Sequence, residues 1–151
     1  MTKISGLVLG LLISLATATN LYAEGYDAAF AERVGADDYG MKQYVMAFLK
    51  RGPNRSQSEE EAEQLQRAHL DNITRLAEQG KLVLAGPFLE ESELRGIYIF
   101  NVTSVDEARA LTETDPAIKA GRLVMELHAW YGSAALMEVN QLHHRLAKKA
   151  I

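Results

Sequence analysis

The sequence predicts an α+β domain with one four-stranded antiparallel sheet, and three observations carry that expectation. Four short runs rich in aromatic and β-branched residues stand between Gly/Pro stops. Two Ser-x-x-Glu capping signatures open helical periodicities between them. The resulting order is strand, helix, strand, strand, helix, strand, the ferredoxin-like βαββαβ pattern, followed by a C-terminal helix.

Each element has its own signal. Met41 to Leu49 (MKQYVMAFL) reads as the first strand and stops at Gly52-Pro53. Ser58-Glu59-Glu60-Glu61 opens the first helix, with Ser56 and Glu59 as an alternative capping pair. Ala62, Leu65, His69, Ile73 and Leu76 follow at helical spacing, and Gly80 ends the run. Lys81 to Ala85 is a short strand ending at Gly86-Pro87. A polar loop, Glu90 to Glu93, leads to a third strand, Gly96 to Val102. Ser104 and Glu107 cap a second helix through Ala108 and Leu111, which must stop before Pro116 because the residue preceding proline is pushed out of the α region. Arg122 to Tyr131 is the fourth strand. From Ser133 a helix aligns Leu136, Val139, His143 and Leu146, with Lys148 and Lys149 at its dipole-favoured end.

The segments outside this pattern divide the chain. Lys3 followed by the apolar run Leu7 to Leu15 and the small residues Ala16 to Asn20 reads as a signal peptide over residues 1–23, cleaved after Ala23 or, second, after Ala18. The run falls short of the ~20 apolar residues of a spanning helix, so a retained anchor is the lesser alternative and no stable membrane anchor is expected after processing. Residues 24–38, acidic and Ala/Gly-spaced, read as a linker or a frayed helix. The domain proper spans 39–131 and a helical tail 132–151. With no cysteine, disulfides, thiolate chemistry and a lipid anchor on cysteine are excluded. The reading is a periplasmic or secreted protein.

Composition narrows the partners. The 151 residues carry 48% hydrophobic and 24% charged side chains, an ordinary globular balance, and a net charge of -4 that gives no broad attraction for nucleic acid. The strands are apolar on both sides: Tyr44, Met46 and Phe48 alternate with Val45, Ala47 and Leu49. Two helices cover only one face, and a solvated face would alternate apolar with polar residues. The second face therefore needs a cover. Sheet-on-sheet homodimerisation is the first expectation, and the terminal helix folding across it is the alternative.

His69-Leu70 with Leu76, Gly80-Lys81-Leu82, Gly86-Pro87, Gly96-Ile97-Tyr98-Ile99-Phe100, Ser104 with Glu107-Ala108, Asp115-Pro116, Ala120-Gly121 and Trp130 follow one another in an order and spacing that resembles the YCII-related family. The resemblance covers about residues 39–131. It implies a dimeric α/β-barrel, two ferredoxin-like sheets face to face, with an active site built on a His and an Asp, here His69 and Asp115. Related barrels include isomerases and lyases of small ring compounds. The chain departs from the family pattern at His128-Ala129-Trp130 and in the acidic loop Glu90 to Glu93, at the rim of the implied pocket.

Each candidate residue has a chemical and a plain structural reading. His69 lies in the apolar stripe of its helix, so its imidazole needs a partner; with Asp115 setting its tautomer it suits proton transfer. The alternative is a buried pair locking two helices. Glu126, His128 and Trp130 on the fourth strand suit a polar pocket lining, or else a solvated edge. Tyr44 and Tyr98 each offer a phenol to a cavity, or a hydrogen-bonded hydroxyl to the core. The adjacent His143 and His144 lack the i,i+4 spacing of a metal pair, so no metal is expected, and no Gly-x-Ser-x-Gly nucleophile occurs. The expectation is a cofactor-independent lyase or isomerase using His69 and Asp115 on a small molecule. The alternatives are a small-ligand binding module and a purely structural dimer.

Overall fold

The computed structural model describes residues 25–149; the signal-peptide reading lies outside them. The elements are α1 (Ala28–Val34), β1 (Met41–Arg51), α2 (Glu59–Glu78), β2 (Leu82–Pro87), β3 (Leu94–Phe100), α3 (Val105–Thr112), α4 (Pro116–Lys119), β4 (Leu123–Ser133), a 3-10 helix (Ala134–Glu138) and α5 (Val139–Leu146). The four strands form one sheet in the order β2-β3-β1-β4, with every neighbouring pair antiparallel. This is the ferredoxin-like arrangement the sequence predicts.

The helices over one face are placed by their caps. Ser58 accepts from the Glu61 amide while the Glu61 carboxylate accepts from the Ser58 amide, a full capping box on the 20-residue α2. Ser104 accepts from the amides of Asp106 and Glu107 and starts α3. Leu76 on α2 and Ala108 on α3 pack against Val45, Ala47, Leu49, Leu82, Tyr98 and Phe100, which forms the larger core.

The opposite face is covered in part by the chain itself. Leu136 and Met137 of the 3-10 helix pack on Tyr44, Val83 and Ile99. Asn140 of α5 donates to the Leu82 carbonyl at 2.8 Å. A register shift between Leu82 and Leu84 adds a residue to β2, so Val83 and Leu84 both reach this second cluster. The covering segment leaves Met46, Phe48 and Ile97 only half-buried beside exposed Glu126 and His128.

Several local readings differ from the structure. Gly86 and Pro87, expected to stop the second strand, are its last paired residues, and the third strand runs Leu94–Phe100 rather than Gly96 to Val102. Residues 24–38 include a proper helix: Asp27 accepts from the Phe30 amide, Gly35 closes it at φ 70°, and Val34 is buried. The strand expected to end at Tyr131 continues to Ser133, so the tail begins two residues later than expected. The tail is a 3-10 turn followed by α5 rather than one helix. Beyond Thr112 the chain forms α4, with Asp115 as its N-cap and Pro116 at its first position, where a missing N–H costs nothing.

Candidate functional site

Asp115, His69 and Tyr98 stand in line between the helices and the sheet. His69 is buried in α2 and Asp115 is fully buried. The His69 Nδ1 lies 2.6 Å from Asp115 Oδ2. A carboxylate only accepts, so Nδ1–H donates, and in the neutral imidazole Nε2 keeps its lone pair. Nε2 lies 3.3 Å from the Tyr98 hydroxyl, which donates to it in that neutral form. The two rings stack with centroids 6.2 Å apart, and Phe100 meets the Tyr98 ring edge-on. Burial, then the negative charge of Asp115, pushes the Tyr98 phenol well above its ordinary value and keeps it a neutral donor.

The second oxygen of Asp115 explains why the carboxylate points inward. Oδ1 accepts from the Ala117 amide at 2.8 Å, the N-cap bond of α4. The preceding residue is clamped as well. Thr114 Oγ1 lies 2.9 Å from Arg75 Nη2 and 3.0 Å from Asn72 Oδ1, and Arg75 Nη2 donates to that same oxygen at 2.6 Å. Asn72 and Arg75, one and two turns beyond His69 on α2, therefore hold the turn that presents Asp115. Asn72 Nδ2 is buried with no acceptor among the described residues. Sequence reasoning missed this clamp; the i,i+3 spacing of His69, Asn72 and Arg75 was its only signal.

The remaining predicted residues do not join this line. Tyr98 pairs with Ala47 on the helix-covered face, whereas Tyr44, Glu126, His128 and Trp130 lie on the opposite one. Tyr44 is buried, donates to the Ser133 carbonyl at 3.1 Å and sits 5.9 Å from the Trp130 ring. A single cavity shared by Tyr44 and Tyr98 is ruled out by the sheet between them. Glu126 accepts from Lys50 and from His128 Nε2, the latter at 3.0 Å, and both bonds hold its carboxyl below the usual range. His128 meets Phe48 edge-on, 5.7 Å between centroids. These residues form a second, exposed polar group on the half of the sheet that the C-terminal segment leaves open.

Two surface depressions, of about 560 and 360 Å³, take no lining from His69, Asp115 or Tyr98. No group of three potential metal ligands occurs among the described residues.

No curated protein matches the chain. Among solved structures, 5-chloro-2-hydroxyhydroquinone dehydrochlorinase (TftG) from Burkholderia phenoliruptrix AC1100, in complex with 2,5-dihydroxybenzoquinone, is similar at 22% identity. The match covers 57% of this chain and 92% of that one, with a TM-score of 0.43. Residues 44–130 match the YCII-related domain, spanning β1 to β4 and including His69, Tyr98 and Asp115. The chain belongs to the YCII-related domain family.

Proposed function

We propose that this domain is a cofactor-independent small-molecule enzyme of lyase or isomerase type in which His69 moves a proton. The observation that carries the reading is the 2.6 Å bond between His69 Nδ1 and Asp115. It fixes the tautomer that leaves Nε2 basic, the arrangement general base catalysis needs. Tyr98 is the group Nε2 faces, and its phenol either passes a proton onward or yields its place to the substrate. Export to the periplasm or beyond rests on the N-terminal segment, and a homodimer on the half-open sheet face.

A specific observation favours a second reading. His69 is only 7% exposed, and both its nitrogens have partners within the protomer. On that reading the line ties α2, α4 and β3 together and does no chemistry. His69→Gln separates the two, assayed by thermal shift across a panel of small cyclic ligands and by turnover of each ligand that binds. Binding retained with turnover abolished supports proton transfer. A wild-type protein that turns over none of the ligands it binds removes it.

A further inference from the structure

The end of the sheet where β1 finishes gathers four arginines from four different segments. Arg51 closes β1 opposite Leu123, next in the chain to Arg122. The Arg51 amide donates to the Glu93 carbonyl at 2.8 Å, which brings in the start of β3 and Arg95. Beyond Arg51 the chain folds over residues 120–122. The Gly52 amide donates to the Arg122 carbonyl at 2.9 Å, the Asn54 amide to the Gly121 carbonyl at 3.0 Å, and the Asn54 side chain to the Ala120 carbonyl at 2.9 Å. This approach depends on glycine: a Cβ on Gly52 would stand 2.3 Å from the Gly121 oxygen and 2.7 Å from the Arg122 carbonyl carbon. The folded-over loop carries Arg55.

These guanidiniums are short of partners. Arg122 donates to Gln57 at 3.2 Å and Arg95 to the Ser92 carbonyl at 3.4 Å. Among the described residues none of the four takes part in an ion pair. Slight desolvation, and then the charges of Arg51, Arg122 and Arg95, hold the exposed Arg55 below its ordinary value, with Glu93 as the opposing influence. Like charges so placed repel one another, weakly where water screens them, and an anion among them relieves that repulsion. Planar guanidinium forks fit carboxylate and phosphate oxygens two at a time.

We propose that Arg51, Arg55, Arg95 and Arg122 form a binding site for the carboxylate or phosphate group of a small anionic molecule. The chain's net charge of -4 disfavours an extended polyanion, so the patch suits one compact anionic group. Its position also connects it to the His69 line. The Arg122 amide donates to the Ala117 carbonyl at 2.9 Å, and the Ala117 amide donates to Asp115 Oδ1 at 2.8 Å. Ala117 alone links the carboxylate that orients His69 to the arginine at the site. That the anion belongs to the substrate rests on the proton-transfer reading; the anion site itself does not.

The test is a titration of the isotope-labelled protein with inorganic phosphate and, separately, with succinate, at ionic strength held constant with sodium chloride. Saturable amide shifts at residues 51–55, 93–95 and 121–122 are expected with at least one probe, and the two arms tell phosphate from carboxylate. The paired substitution Arg55→Gln with Arg122→Gln should weaken that binding by about tenfold or more, as removal of charge-assisted bonds requires. His69→Gln should leave it unchanged, so loss of the catalytic reading would not remove the site. Shifts no larger than those with chloride, equal saturation in a folded double variant, or response to anionic lipid vesicles but to neither small anion would overturn the proposal.

Discussion

The carboxylate of Asp115 is divided between two tasks, capping α4 through Oδ1 and holding His69 through Oδ2. Asp115→Asn tests that division. An asparagine oxygen still caps well, but its amide presents N–H to His69 Nδ1, which must then become the acceptor. The ring proton moves to Nε2 and faces Tyr98, whose hydroxyl has to turn from donor to acceptor. We expect a folded variant, destabilised by about 1–3 kcal/mol for the lost charge-assisted bond, with the opposite tautomer in imidazole nitrogen NMR. An unchanged tautomer would mean that Asp115 does not set it. Tyr98 adds a pH signature. Its phenol is raised in the folded state by burial and by Asp115, so the unfolded chain ionises first, from about pH 10. The stability linked to Tyr98 is full below that pH and lost as pH rises towards the folded value. Tyr98→Phe should unfold less steeply above about pH 10 than the wild type; parallel alkaline curves would contradict the burial argument.

Elements were legible where a local rule suffices to make them. The Ser58 and Ser104 caps and Gly80 made α2 and α3 legible, because each acts over three or four residues. Ser58→Ala should lower stability by about 1 kcal/mol, read as a shift in the chemical-denaturation midpoint. A loss indistinguishable from zero would place α2's stability wholly in its packing. What could not be read depended on distant contacts. Alternation along β1 and β3 separates their two faces but does not say which face the helices take, so Tyr44 and Tyr98 looked equivalent until the sheet set them apart. Helix α4 was hidden because proline reads as a stop as readily as a start. The His69–Asp115 meeting joins residues 46 apart, a distance that no local period spans. Gly132 shows the same limit: a Cβ there would overlap the Trp130 ring at 2.1 Å, a clash created by the path of β4. Gly132→Ala should displace Trp130 from Tyr44 and change tryptophan fluorescence, while a native spectrum would show that the ring has room to move.

Over the whole molecule, the uneven covering of the second sheet face bears directly on assembly. The 3-10 helix closes the end built on Tyr44, Val83 and Ile99, while Met46, Phe48 and Ile97 stay half-buried beside the Lys50–Glu126–His128 group. Two anticipated covers, the chain's own tail and a second copy, thus become compatible, because each has a different half to occupy. A charged rim around an apolar centre is the ordinary make-up of an interface between subunits. Phe48 lies at the centre of that half, directly across from Glu126 in the neighbouring strand. Phe48→Glu sets two carboxylates opposite one another there and removes the largest apolar side chain, whereas its effect on the helix-covered core is small because Phe48 does not belong to it. The wild type should sediment as a dimer at micromolar concentration, and Phe48→Glu should sediment as a folded monomer. Removal of residues 134–151 should instead expose Tyr44, Val83 and Ile99 and drive further association. If the wild type is monomeric, the open half is simply solvated; if Phe48→Glu is as dimeric as the wild type, the subunits meet elsewhere.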